Sequence, residues 1–134
     1  MINPILHHYA QNIVTGSLET VLELYALLGC KVVYRPNNGY QWAMIAQDNV
    51  PFWVQIVEVD AKPITDIEVK KCTHLAFLSD NPQELIESIQ TWAKSQNLIC
   101  IEGGWSEKER YVDFPEVFVN FVIEIMHTSV AEED

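Results

Sequence analysis

A short internal repeat constrains the fold of this chain more than any other feature of the sequence. His8–Ala10 near the start has a counterpart in His74–Ala76, and Phe52–Ile56 resembles Phe121–Ile125. The two histidines are separated by nearly the same number of residues as Gln55 and Glu124, which occupy matching positions in the closing segments. Self-similarity at a fixed spacing is typical of a duplicated supersecondary unit. We therefore expect two copies of one structural motif.

Composition and charge exclude several classes of function. The 134-residue chain is 49% apolar and 20% charged, which is typical of one soluble globular domain covering 1–134. We expect no membrane span and no signal peptide, because no long apolar run and no basic N-terminal region occur. The net charge of −11, from 19 acidic and 8 basic residues, argues against binding to nucleic acid or anionic membranes. The acidity favours solubility first, and attraction of a cationic ligand second.

The three cysteines, Cys30, Cys72 and Cys100, lack any Cys-x-x-Cys spacing. In a cytoplasmic protein, which is the location we expect here, they would be reduced thiols. Cys72 is the one that merits comparison with a metal ligand, because it lies two residues before His74. A plain thiol remains the favoured interpretation.

Hydrophobic periodicity predicts the same order of elements in both halves. The first module, about 4–59, should contain a strand over 5–13, a helix over 17–28, and strands over 31–35, 40–46 and 52–59. A linker over 60–71 should lead to a second module, about 72–128. That module should contain a strand over 73–78, a helix starting at 80–82, and strands over 98–102, 110–113 and 118–126. Gly103 and Gly104 should break the chain after the strand over 98–102. The predicted class is α+β: two β-α-β-β-β modules with the helices outside the sheets.

Strand alternation places the polar residues of the repeat on one face of each sheet. His74 and Glu124 should face away from the helix of the second module, and Gln55 should do the same in the first. Two imidazoles, an amide oxygen and a carboxylate are a ligand set that divalent metals accept. A single histidine in a strand is more often structural, but two at matching positions make a metal site an even alternative.

Three further residues compete for places in that set. His7 and His8 are adjacent and should face opposite ways, and the repeat favours His8, with His7 pointing toward the helix layer or packing at an edge. Glu58 and His127 have the wrong alternation, so we expect them at the surface or at an edge of the sheet.

These motifs, in this order, resemble the vicinal oxygen chelate superfamily, which includes glyoxalase I, methylmalonyl-CoA epimerase, ring-cleaving dioxygenases and bleomycin-resistance proteins. The resemblance covers most of the chain and includes Leu24–Gly29, Trp53–Glu58, Thr73–Phe77 and Phe121–Met126. It implies cupped mixed sheets that hold one divalent metal ion, Ni, Zn, Co, Mn or Fe. It also implies that the ligands are His8, Gln55, His74 and Glu124.

The resemblance implies a glyoxalase-like isomerase, epimerase or lyase acting on a small carbonyl substrate through a metal-bound enediolate or enolate. Gln55 departs from the pattern of bacterial glyoxalases, where glutamate is usual, and Asp113–Val117 replaces the Asp-Pro-Asp-Gly segment common in the family. Because glutamine does not ionise, Glu124 is the expected catalytic residue that moves the proton.

The alternative function is a metal-free small-molecule binding protein of the bleomycin-resistance type. Four tryptophans and the acidic charge would suit a flat cationic ligand. Trp53, on the Gln55 face, and Trp105, expected on a loop, are the candidate pocket residues under both interpretations. Both interpretations also fit a homodimer with a small-molecule ligand.

Overall fold

The computed structural model describes residues 3–132, which divide into two compact units on either side of the bond between residues 60 and 61. Unit 1 contains β1 (His8–Val14), α1 (Leu18–Leu27), β2 (Lys31–Tyr34), β3 (Trp42–Ala46) and β4 (Trp53–Val59). Unit 2 contains α2 (Ile67–Lys70), β5 (His74–Ser79), α3 (Pro82–Ser95), β6 (Ile101–Ser106), β7 (Glu109–Asp113), β8 (Val122–His127) and α4 (Thr128–Ala131). No helix among the described residues is long and apolar enough to cross a membrane.

Each unit forms a four-stranded mixed sheet with the same topology. The strand order is β1-β4-β3-β2 in unit 1 and β5-β8-β7-β6 in unit 2. The first two strands in each order are parallel, and the other neighbours are antiparallel. The parallel pair needs a crossover, which α1 and α3 help to supply. The predicted α+β class with two β-α-β-β-β modules is therefore confirmed.

Backbone N–H groups at both ends of helix α1 have hydrogen-bonding partners. Glu58, at the end of β4, accepts a hydrogen bond from the Leu18 N–H at 3.0 Å, so a carboxylate lies at the positive end of the helix dipole. After the helix, Gly29 adopts φ +81°, and its N–H donates to the carbonyl of Ala26. This left-handed glycine ends α1.

Helix α3 presents a short apolar stripe to the sheet. Ile86, Ile89 and Ala93 form its buried side. The Asn81 side chain caps the helix by accepting a hydrogen bond from the Glu84 N–H at 3.2 Å. With Pro82 as the first helical residue, the helix turns its isoleucines toward β5 and β8.

Two local predictions for the second half were wrong, and one segment contains a helix that was not predicted. Gly103 and Gly104 do not break the chain but lie inside β6, paired with Tyr111 and Arg110 of β7. The last strand begins at 122 rather than 118, because Phe118 and Phe121 lie in a turn segment where their rings stack with centroids 4.2 Å apart. The segment 60–71 also contains helix α2, whose Asp66 side chain caps the first turn by accepting from the Glu68 N–H.

Candidate functional site

Strand register makes the repeat equivalent residue by residue. In unit 1, His8 pairs with Trp53 and Ala10 pairs with Gln55 across the parallel strands β1 and β4. In unit 2, His74 pairs with Val122 and Ala76 pairs with Glu124 across β5 and β8. Because alternate residues of a strand share a face, each histidine shares a face with the Gln or Glu that the repeat matched to it.

The second of these pairs is in direct contact. His74 Nε2 lies 3.2 Å from Glu124 Oε1. The other ring nitrogen, Nδ1, lies 2.8 Å from the carbonyl oxygen of Lys71. A carbonyl only accepts hydrogen bonds, so Nδ1 carries a hydrogen and donates it. Nε2 and the carboxylate oxygen are then placed to share a proton or a cation. Donation from the far nitrogen to a backbone carbonyl is also how metal-binding histidines are oriented.

Glu124 is in an environment that favours its protonated form. The residue is 6% exposed, and burial raises the pKa of its carboxyl group above the usual value. The neighbouring His74 opposes that shift, while the charge of Glu109, on β7, adds to it. A carboxylate with a raised pKa is a better proton acceptor near neutral pH than an ordinary surface glutamate.

Aromatic rings cover the His74 side of the pair. Trp105 lies in β6, at a register irregularity between Gly104 and Ser106, so the expectation of a loop was wrong. Its ring centroid is 4.9 Å from that of His74 and 5.5 Å from that of Tyr111. The ammonium group of Lys71 lies 5.8 Å from the centre of the Trp105 ring, within the range of a cation–π contact.

The position of Tyr111 depends on a glycine. A Cβ atom on Gly103, the cross-strand partner of Tyr111, would lie 2.3 Å from the tyrosine ring. Only glycine leaves room for the ring to lie over β6, beside Trp105. Sequence analysis missed Tyr111, Glu109 and Gly103. The alternation of Glu109, Tyr111 and Asp113 along β7 was the signal available, because it puts all three on the Glu124 face.

In unit 1 the candidate pair is more open. His8 is exposed, as is His74, but Gln55 is half-buried where Glu124 is buried. His7 precedes β1, and its Nδ1 lies 2.8 Å from Nδ1 of His8. The His7 ring is 4.9 Å from Trp53, on the same strand face as Gln55, so it does not point toward the helix layer as one expectation had it.

The remaining candidates have local structural partners. Glu58 caps α1, and His127 Nδ1 accepts from the Ser129 N–H at 3.0 Å at the start of α4. Cys72 precedes β5 and lies 3.2 Å from the carbonyl oxygen of Glu68. Within the described part of either unit, no three His, Cys, Asp or Glu side chains are arranged to hold a metal ion.

Comparison with known proteins supports the fold. No protein-family model matches the chain, and no curated protein is similar enough to count as a match. Two modules of β-α-β-β-β topology are the fold of the vicinal oxygen chelate superfamily, and the structural neighbours are members of it. The resemblance seen in the sequence is therefore confirmed at the level of the fold.

Three solved structures illustrate the likeness. A glyoxalase family protein from Bacillus anthracis is 20% identical with a TM-score of 0.55, and the match covers 95% of this chain and 98% of that one. A Glu-to-Gln variant of the fosfomycin resistance protein FosX from Listeria monocytogenes, complexed with Mn(II) and 1S,2S-dihydroxypropylphosphonic acid, is 16% identical with a TM-score of 0.57, over 95% and 93% of the two chains. FosX from Mesorhizobium loti is 15% identical with a TM-score of 0.55, over 98% of both chains.

Proposed function

We propose that this protein is a glyoxalase-like, metal-dependent isomerase, epimerase or lyase that acts on a small carbonyl substrate. The contact between His74 Nε2 and Glu124 Oε1 carries the proposal, because it leaves two ligand atoms converging with the histidine oriented by a backbone carbonyl. The neighbours solved with Mn(II) add support for a divalent metal in this fold.

In this proposal His8, Gln55, His74 and Glu124 together hold one divalent ion of Ni, Zn, Co, Mn or Fe. The matching strand positions of the four residues support it. The bound ion would supply a Lewis acid that polarises the carbonyl oxygen of the substrate.

Glu124 then moves the proton. Its carboxylate accepts a proton from the carbon next to the substrate carbonyl and returns it to the neighbouring carbon or to the opposite face. The raised pKa of this carboxyl group brings it closer to the working pH. Gln55 contributes an amide oxygen and no proton transfer. Trp53 and Trp105 would pack against the substrate and exclude water. A homodimer and a cytoplasmic location remain part of the proposal.

Metal content tests the proposal directly. Protein expressed with supplemented metal and purified without tag or chelator should contain about one divalent ion per chain by elemental analysis. His74→Ala and Glu124→Ala should each lose most of it. Gln55→Glu should bind the ion more tightly, because a negative oxygen replaces a neutral one.

His127→Ala is the matched control, since His127 lies in the same unit but bonds to Ser129. It should keep the metal of the wild type, and thermal unfolding should establish that all variants are folded. A wild-type protein that stays metal-free after reconstitution would overturn the enzyme proposal. Binding of flat cationic aromatics would then be measured for the alternative, a binding protein of the bleomycin-resistance type.

A further inference from the structure

Unit 2 has a cavity of about 280 Å³ that no step of the proposed chemistry uses. Its apolar wall includes Ile64, Ile67 and Ile101, and its polar side chains are Thr65, Tyr111 and Asp113. Tyr111 pairs directly with Glu124, and Asp113 is two residues further along the same strand. The cavity therefore opens on the same face of the sheet as Glu124.

Asp113, on the polar side of this cavity, belongs to a buried ion pair. Lys70 Nζ of helix α2 lies 2.8 Å from Asp113 Oδ1, with side-chain exposures of 1% and 6%. Neither atom has a further hydrogen-bond partner among the described residues. A lysine ammonium has three donors and a carboxylate has about four acceptor positions, so both groups can form more bonds than they make. Buried polar atoms short of partners indicate a place for a bound water or a ligand group.

The charge of the pair selects the kind of group. Lys70 and Asp113 neutralise each other, so an anionic ligand would meet the carboxylate that lines the cavity, and a cationic ligand would be repelled by the ammonium behind it. Either ion would also lose its hydration among isoleucine side chains. A hydroxyl group donates to Asp113 without bringing charge into the cavity. We propose that this cavity binds the uncharged aliphatic tail of a small molecule whose terminal hydroxyl donates a hydrogen bond to Asp113.

The size and position of the cavity agree with this assignment. A dry protein cavity of roughly 150 Å³ holds benzene, so 280 Å³ accommodates a tail of about six carbons. The wall formed by Tyr111 continues through Trp105 to His74. If the ligand is also the substrate, its carbonyl end lies at Glu124, and this identification rests on the proposed function. Binding of the aliphatic tail in the cavity does not depend on the proposed function.

Two isomeric probes separate the hydroxyl from the tail. Hexan-1-ol and 1-methoxypentane have the same atoms, but only the alcohol donates a hydrogen bond. Titration into the full chain, followed by the isoleucine methyl signals of Ile64 and Ile67 in NMR spectra, should show the alcohol binding about tenfold more tightly than the ether. Hexanoate and hexylammonium should bind more weakly than the alcohol. Equal affinity of alcohol and ether would refute the role of Asp113.

Filling the cavity provides the second test. Ile101→Trp should abolish the methyl shifts, whereas the matched control Ile99→Trp, at a similarly exposed isoleucine outside the cavity, should leave them unchanged. Unaltered hexan-1-ol binding by Ile101→Trp would place the ligand elsewhere and overturn the proposal. His74→Ala should bind hexan-1-ol like the wild type, so loss of the metal and loss of tail binding are distinguishable failures.

Discussion

Removing one partner of the Lys70–Asp113 pair should destabilise the protein, and in the variant that keeps Asp113 the loss of stability should depend on pH. Both residues are almost fully buried, at 1% and 4% exposure, and each is the other's counter-charge at 2.8 Å. Breaking such a pair typically costs about 3–5 kcal/mol of unfolding free energy. Since the whole stability of a domain is about 5–15 kcal/mol, the effect is large enough to measure with confidence.

The cost has an upper limit, because a stranded charge can be neutralised. In Lys70→Met the Asp113 carboxylate can take up a proton, which at pH 7 costs about 4 kcal/mol for a group with an ordinary pKa near 3.9. In Asp113→Asn the buried Lys70 ammonium is left without its counter-charge. Burial already raises the pKa of Asp113 more than Lys70 lowers it, so protonation is the accessible route in Lys70→Met.

The sign of the pH dependence in Lys70→Met follows. In this variant the folded-state pKa of Asp113 rises further above its unfolded value, so the folded form gains relative stability as pH falls. The deficit of Lys70→Met relative to wild type should shrink to about 1.5 kcal/mol at pH 5. Asp113→Asn removes that carboxyl group, so its deficit should not shrink between pH 7 and pH 5.

Urea unfolding followed by tryptophan fluorescence at pH 5, 7 and 9 measures these differences, with the m-value checked for two-state behaviour. The double variant Lys70→Met/Asp113→Leu removes both charges and should recover to within about 1 kcal/mol of wild type. Lys94→Met, at an exposed lysine of α3, controls for loss of a surface charge. Deficits below about 1 kcal/mol at pH 7, or a Lys70→Met deficit that does not shrink from pH 7 to pH 5, would refute the argument.

Two further predictions concern packing and buried thiols. Gly103→Ala should lower the free energy of unfolding in urea by about 1–3 kcal/mol, because the added Cβ would lie 2.3 Å from the Tyr111 ring. A change smaller than the error of the assay would contradict that close approach. Burial raises the pKa values of Cys30 and Cys100 from 9.0 to about 11, so their contribution to stability should be complete below pH 9 and lost as pH rises through 11. Thermal unfolding of wild type against Cys30→Ala and Cys100→Ala checks this, and iodoacetamide at pH 8 should modify exposed Cys72 first.

The parts of the fold that the sequence predicts are those determined by periodic burial. Alternation along β4, β5 and β8 gave the correct faces for Gln55, His74 and Glu124 because each of these strands covers a hydrophobic layer on one side. The repeat then predicted the matching register, since a duplicated strand pair keeps its hydrogen-bonding pattern. Both inferences depend on residues whose burial follows from the alternation of side chains along their own strand.

The wrong predictions involve residues whose role depends on a distant partner. Gly103 resembles a chain break in isolation, yet the ring of Tyr111 occupies the space that a side chain would fill. Phe118 and Phe121 have strand propensity, but their stacked rings form the core beneath a turn. Helix α2 was missed because Lys70, a residue usually at the surface, is its buried member, and its counter-charge is 43 positions away in Asp113.

The two halves of the repeat share backbone geometry but differ in how they surround their histidines, and this difference bears on their chemical roles. In unit 2 the partner of His74 is Val122, and a tryptophan from β6 covers the imidazole while a backbone carbonyl fixes its tautomer. In unit 1 the partner of His8 is Trp53, whose ring contacts His7. The buried carboxylate with a raised pKa also occurs in unit 2, where unit 1 has an amide. In the proposed chemistry, proton transfer would therefore be carried out by unit 2, and unit 1 would contribute neutral ligand atoms.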